Sequence, residues 1–367
     1  MINPKHTVSI IVPTYREVEN IPGLINQIDL IRAGNNLSIE LLMMDDNSMD
    51  GTVEYINSLN KPWVRLVVRT KDKGLSAAVV DGLRLAQNDI LIVMDADLSH
   101  PPEKIPEMIR KIGEGYDFVI GSRYVKGAST DIGWGFFRWL NSKVATMLAR
   151  PFTSVKDPMS GFFSLPRAVF NNADTLNPIG YKIGLELIVK CHCKNIWEVP
   201  IHFADRKFGK SKLSLKEQLH YIKHIRGLFI YKYEHWACFL QFSFVGFSGA
   251  IVNLTILTLM LWINVPAQLA VALAIAVSMG TNFLLNRRFT FSYARHDSMC
   301  AQLMGFVAAC SLGAGVNYLV TIEIMTLWHR GISPQLAALA GILAGTAINF
   351  ITNRYFVFKK KESAAIG

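Results

Sequence analysis

Charged side chains are scarce: Asp, Glu, Lys and Arg together make up 18% of the 367 residues. The glycine-rich phosphate loops of the common nucleotide enzymes are missing as well. Neither G-x-G-x-x-G nor G-x-x-x-x-G-K-[ST] occurs, which counts against dinucleotide and ATPase chemistry. Cysteine is limited to five residues, with Cys191 and Cys193 on either side of His192. That spacing, with no second pair, is poor zinc geometry, so free thiols are expected. Met1–Thr7 is polar and leads straight into an apolar strand, and no signal peptide is expected there. Basic residues outnumber acidic ones, 38 to 28, for a formal net charge of +10. They border apolar segments or join phosphate-like motifs, so attraction to anionic lipid explains them better than nucleic acid does.

What the second half lacks in charge it has in length of apolar chain. Residues 237–263, 267–285, 300–328 and 334–350 are nearly uncharged. Each approaches or exceeds the ~20 residues that cross a bilayer as a helix, which predicts four transmembrane helices. Lys232 precedes the first, Arg287, Arg288 and Arg295 lie between the second and third, and Arg354 and Lys359 follow the fourth. The positive-inside bias then puts both termini, and residues 1–233 as a domain, in the cytosol. Residues 234–367 contain a duplication. The pattern N-F-x-x-N-R-x-F-x-F starts at Asn282 and again at Asn349, and G-A-x-x-N starts at Gly249 and again at Gly313. Two similarly oriented helical hairpins are predicted. The Arg of each N-R pair is available for a lipid phosphate, a carboxylate or simple anchoring. Gly246-x-x-Gly249 and Gly341-x-x-x-Gly345 suit close helix packing. Glu323 is the one intramembrane acid of note.

The first half alternates apolar strand candidates (8–12, 39–44, 64–68, 90–94, 118–120) with helical stretches such as 21–31 and 75–86. This order predicts an α/β, doubly wound and mostly parallel sheet, whose ligands bind outside the carboxyl ends of the strands. Polar clusters fall at those ends: Pro13-Thr14-Tyr15-Arg16-Glu17, Asp45-Asp46-Asn47-Ser48, Asp95-Ala96-Asp97 and Gly121-Ser122-Arg123. An Asp-x-Asp pair closing a buried strand suits Mg²⁺ or Mn²⁺, hard cations that share carboxylate and phosphate oxygens. Two aromatic-rich amphipathic stretches, near 134–150 and 213–231, are predicted to lie on the membrane surface.

Those motifs resemble the inverting GT-A glycosyltransferases of family 2. Within them the chain is similar to dolichol-phosphate mannose synthases and their bacterial polyprenyl-phosphate relatives. Asp157-Pro158-Met159-Ser160-Gly161-Phe162-Phe163 and Arg206-x-x-Gly209-x-Ser211-Lys212 are the more specific pieces, and residues 234–367 resemble a GtrA-like domain. The resemblance implies that Pro13, Tyr15, Glu17, the Met44 backbone and Asp46 hold base and ribose, with Ala96 beside them. It implies that Asp95 and Asp97 bind the metal and that Arg206 and Lys212 clamp the diphosphate. Arg123, Arg138 and Ser142 would receive the lipid phosphate, Arg138 and Ser142 from one face of a helix. Some relatives carry Gln where this chain has Ser99, a side chain too short to serve as a third protein ligand. Asp157 is a candidate base but is expected to position groups. His100, His202 and His220 are expected to be structural.

The implied reaction is one displacement, by a polyprenyl phosphate oxygen, at the anomeric carbon of a sugar nucleotide. A phosphate whose second pKa is ≈ 6 needs no strong base. Mannose from GDP-mannose is the donor implied. UDP-glucose or UDP-N-acetylglucosamine is the alternative, as is a glycolipid-translocating role for the membrane half. The setting implied is a prokaryotic cell membrane.

Overall fold

In the computed structural model, residues 7–131, 136–180, 182–204, 215–327 and 334–359 are described. They fall into two compact units, Met1–Lys232 and Tyr233–Gly367.

The first unit runs β1 (Thr7–Thr14), α1 (Ile21–Gly34), β2 (Ser38–Asp45), α2 (Thr52–Ser58), β3 (Val64–Val68), α3 (Leu75–Leu85) and β4 (Ile90–Val93). It continues with α4 (Ile105–Gly113), β5 (Phe118–Ser122), β6 (Ser129–Thr130), α5 (Phe136–Ala149), β7 (Phe163–Pro166), α6 (Arg167–Asn171) and α7 (Ile183–Lys190). Next come β8 (Ile196–Pro200), β9 (His202–Phe203) and α8 (Leu215–Lys232). A seven-stranded sheet has the order β3-β2-β1-β4-β7-β5-β8, and β6 pairs separately with β9. Every neighbouring pair in the large sheet is parallel except those made by β7, which runs antiparallel to β4 and β5. The doubly wound, mostly parallel sheet predicted from the sequence is present.

Period-two alternation splits the core into two layers. Val8, Ile10, Val12, Ile90 and Ile92 pack with Leu24 and Ile28 of α1 and Met108 and Ile109 of α4. Ile11, Leu42, Leu91 and Val93 face Val79 and Leu83 of α3 and Leu187 of α7 on the other side. Gly82 lets α3 sit close to β1, because a Cβ there would overlap the Ile11 side chain. Every parallel strand thus ends on the same edge, with its polar loop held there by a core on both faces.

The second unit consists of α9 (Glu234–Trp262), α10 (Ala267–Leu285), α11 (Met299–Leu327) and α12 (Pro334–Thr352). Among the described residues, three helical segments are long and apolar enough to cross a bilayer: Glu234–Trp262, Gln268–Thr290 and Met299–Ile324, with mean hydropathies of 2.0, 1.7 and 1.7. α9 packs along α10 and α11 along α12. The repeat has a physical cause. A Cβ on Gly249 would collide with the Asn282 side chain, and one on Gly313 with that of Asn349. In each half a glycine of the first helix therefore admits an asparagine of the second. Gly345 is likewise close to Gly313 O, whereas Gly246 has open space. α10 and α12 each run into a π-helical turn, Asn286–Thr290 and Asn353–Val357, at the repeated N-R pair. Both arginines are engaged within the unit. Arg287 donates to Gln302 Oε1 at 2.8 Å and to the carbonyls of Arg295 and Asp297 at 2.7 and 2.9 Å. Arg354, mostly buried, meets Glu234 at 3.5 Å. Glu323 is exposed on α11.

Candidate active site

The loop after β1 is stitched to the loop after β2. Arg16 N–H donates to Ser48 Oγ at 2.9 Å and Val18 N–H to Asp50 Oδ2 at 3.2 Å. Asp45, fully buried at the end of β2, accepts from Thr14 Oγ1 at 3.2 Å and from Ser48 N–H at 2.9 Å. These bonds hold Pro13, Tyr15 and Glu17 against one wall of a cavity of ≈ 510 Å³. Asp46 lines it as well, and its carboxylate is already bonded: Arg69 donates to Oδ1, and Gly74 N–H to Oδ2 at 2.7 Å. Arg69 is itself fixed by Asp81 at 3.0 Å and by the Asp72 carbonyl at 2.8 Å.

β4 delivers Asp95, Ala96 and Asp97 to the same cavity. Asp97 is buried, and its Oδ1 accepts from Ser99 N–H at 3.1 Å and Ser99 Oγ at 2.6 Å. That return is possible because Leu98 adopts φ +60°. A left-handed residue with a Cβ costs roughly 1–2 kcal/mol, a strain typical of functional turns. Ser99 therefore sits behind the carboxylate and orients it. His100 is buried, stacks on Phe162 at 5.4 Å, and accepts the Asp95 N–H at Nδ1, 3.0 Å away. Burial holds the His100 ring below its ordinary pKa, against the pull of Asp95 and Asp97. An Nδ1 that accepts leaves the ring proton on Nε2. Gly161 approaches from the other side: a Cβ there would lie 3.5 Å from both Asp95 carboxylate oxygens.

Beyond Gly161 lies a second polar cluster. Arg123, at the end of β5, donates through Nε to Asp157 Oδ2 and through Nη2 to Oδ1, each at 2.8 Å. Arg123 N–H adds a third bond to Oδ2 at 3.0 Å. The Asp157 N–H in turn donates to Glu198 Oε1 at 3.1 Å. The guanidinium lies 5.2 Å from the Phe203 ring and 5.4 Å from the Tyr124 ring. Tyr124 OH bonds Ser142 Oγ at 2.7 Å, which ties α5 to this cluster. Lys182, the residue that caps α7, donates from Nζ to the Met159 carbonyl at 2.8 Å. Burial pushes its ammonium down to about 8, with Arg123 acting the same way and Asp157 and Asp95 opposing.

Of the residues singled out in the sequence, Pro13, Tyr15, Glu17, Asp46, Asp95, Ala96 and Asp97 converge on the cavity. Met44 does not line it; it is buried inside β2, paired with Pro13 and Val67. Arg206 and Lys212 lie outside the described residues, and so does the Arg138 side chain, although its backbone belongs to α5. Cys191 and Cys193 are pushed up to about 12, chiefly by burial, while His192 turns to Asp174 at 3.0 Å. His202 bonds Ser129 and Asp131.

Sequence reasoning passed over Lys73, Pro178, Gly180 and Glu217, which also line the cavity. His220, expected to be structural, lines it as well, beside Glu217. No local motif marks them: folding brings Gly180, at φ +70°, close to His220 and sets His220 beside Glu217 on one turn of α8.

Two family models match the chain. Residues 9–173 match Glycosyl transferase family 2, and residues 241–358 match the GtrA/DPMS transmembrane domain. The dolichol-phosphate mannosyltransferase of Pyrococcus furiosus is 40% identical over 353 residues, covering 95% of this chain and 98% of the relative. The dolichol-phosphate mannosyltransferase of Saccharomyces cerevisiae is 39% identical, covering 61% of this chain and 88% of its own. Among solved structures, mannosyl-3-phosphoglycerate synthase from Rubrobacter xylanophilus aligns with a TM-score of 0.49 and 17% identity, over 62% of this chain and 74% of the other. Near-complete coverage of both chains at 40% identity, together with both family matches, makes this chain a family 2 glycosyltransferase of the dolichol-phosphate mannosyltransferase family, with a fused GtrA/DPMS membrane domain.

Proposed function

We propose that the enzyme transfers mannose from GDP-mannose to dolichyl or another polyprenyl phosphate, inverting the anomeric carbon, with Mg²⁺ or Mn²⁺ at Asp95 and Asp97. The observation that supports this most is the shared cavity of the Asp pair and the Pro13, Tyr15, Glu17 and Asp46 loops, with Arg123 and Asp157 beyond Gly161. The carboxylates suit a hard cation. Asp97 is pre-oriented by two bonds from Ser99, and the glycine at 161 leaves room beside Asp95. Among the described residues no group of three or more His, Cys, Asp or Glu is arranged to hold a metal ion by itself. A two-carboxylate site of this kind relies on substrate phosphates and water for its remaining ligands, as Mg²⁺ sites commonly do. When bound, the metal neutralises charge on the departing diphosphate.

The protein's own groups hold and align. Tyr15 offers a ring at the cavity for the base, and Glu17 and Asp46 face the ribose. Arg206 and Lys212 are proposed to clamp the diphosphate. Arg123, preset by Asp157, meets the acceptor phosphate together with Arg138 and Ser142. Asp157 already accepts three bonds from Arg123, which suits a positioning group and not a base. An anionic phosphate nucleophile needs alignment more than deprotonation.

The membrane unit is proposed to be a four-span anchor with both termini and the catalytic unit in the cytosol, α5 and α8 lying at the interface. Arg287 and Arg354 are engaged within the helical unit, which supports anchoring over passage of a phosphate headgroup. The test is transfer in detergent from a panel of labelled GDP- and UDP-sugars to dolichyl phosphate, with and without divalent metal. Label entering lipid from GDP-mannose alone is expected. Transfer only from a UDP-sugar would replace the donor, and transfer unaffected by chelation would remove the metal.

A further inference from the structure

Two cations hold the same loop. Arg123 arrives from β5 and grips Asp157, the first residue of the 157–161 turn, while Lys182 arrives from the start of α7 and grips Met159 O, two residues on. The charges of Arg123, Asp157 and Asp95 all act on the Lys182 ammonium. The ammonium thus lies in the field of both the arginine–aspartate fork and the metal-side carboxylate. Neither Lys182, Arg123 nor Asp157 lines the ≈ 510 Å³ cavity that Asp95 lines. Holding two cations near each other is costly, and a phosphate between them turns the cost into attraction. A planar guanidinium fork and a compact ammonium are complementary ligands of one phosphate group.

We propose that Lys182 is a second cationic ligand of the acceptor phosphate, working beside Arg123 and outside the lining of the nucleotide cavity. The proposal rests on the reading of the acceptor as a polyprenyl monophosphate. In that position Lys182 holds a non-bridging oxygen of the attacking phosphate and keeps the nucleophile directed toward the sugar over Asp95. The turn at 157–161 then serves as a common base: the same five residues hold the arginine, the lysine and the glycine against Asp95.

The experiment is steady-state transfer to dolichyl phosphate by full-length wild type, Lys182→Gln and Lys182→Arg. GDP-mannose affinity and thermal stability are measured on the same preparations. Losing one charge-assisted hydrogen bond to phosphate corresponds to roughly a 10- to 100-fold fall in kcat/KM for the acceptor. The expected result is that fall in Lys182→Gln, with GDP-mannose affinity within about threefold of wild type, and substantial recovery in Lys182→Arg. An acceptor KM and kcat/KM unchanged in Lys182→Gln would overturn the proposal. So would donor and acceptor parameters weakening together in both variants alongside a lower unfolding temperature, the signature of a lysine that only braces Met159. If Lys182→Gln does not fold, Lys182→Arg decides alone: acceptor kinetics near wild type support the phosphate contact, and a selective donor defect reassigns the charge to the diphosphate. Absence of transfer by folded wild type with any donor refutes the acceptor reading itself, a different failure.

Discussion

Arg123 and Asp157 form a two-point fork, Nε and Nη2 each 2.8 Å from a different carboxylate oxygen, with the aspartate wholly shielded from solvent. The pair joins the end of β5 to the 157–161 turn, so the cation proposed to meet the acceptor is aimed before any substrate arrives. Removing one member of such a buried pair strands the other, at a cost of about 3–5 kcal/mol.

Asp157→Asn is therefore expected to lower both thermal stability and acceptor kcat/KM. The pH–rate profile of the residual activity should keep the wild-type shape if, as proposed, Asp157 positions Arg123 and does not exchange protons with substrate. Loss of an acidic limb in the variant would identify Asp157 as a base.

Ser99→Ala removes the hydroxyl held 2.6 Å from Asp97 Oδ1 in a buried setting. Groups that orient a metal ligand typically affect metal affinity or activity by 10- to 100-fold. A rise of about tenfold or more in the Mn²⁺ concentration for half-maximal transfer is expected. An unchanged metal titration would mean that the Asp97 rotamer is held without Ser99.

His100 makes acid stability measurable. Its folded pKa lies below the ordinary value of 6.5, with burial as the main cause. The unfolded chain therefore takes up a proton near pH 6.5 that the native ring resists, so this residue's contribution favours unfolding as pH falls through and below that value. Unfolding midpoints at pH 7.5 and 5.5 should differ more in wild type than in His100→Gln. Equal pH sensitivity in the two proteins would show that other groups dominate.

The repeat in the membrane unit predicts a paired response. Gly249→Ala and Gly313→Ala place a methyl on Asn282 and Asn349 respectively, and overpacking of this kind costs typically 1–3 kcal/mol. Gly246→Ala meets open space and should be neutral or slightly stabilising. Thermal unfolding in detergent distinguishes these cases, and equal midpoints for Gly246→Ala and Gly249→Ala would remove the packing explanation of the repeat.

Much of this architecture was legible in the chain itself. β1 to β5 announce themselves as short apolar runs ending in polar loops, and strand pleating turns Val8, Ile10 and Val12 one way and Ile11 the other. α9 to α12 announce themselves by length without charge. The Asp95–Asp97 pair was legible because two carboxylates at the end of a buried strand demand a local reason. All of these are properties of contiguous sequence: period, run length and cost of burial.

Other features depended on segments distant in sequence. Phe163–Pro166 is four residues long and enters the sheet antiparallel between β4 and β5, a placement set by its pairing with Leu91 and Val119 neighbours and not by any local pattern. Insertion of β7 brings Gly161 against Asp95 and sets Asp157 under Arg123, 34 residues away. Ser99 looked like a truncated metal ligand until the left-handed Leu98 turned it back onto Asp97. Lys182, Glu217 and His220 had no motif at all. Their place is decided by where α7 and α8 pack, because a single charged side chain acquires a chemical role only from the groups that folding brings within a few ångströms of it.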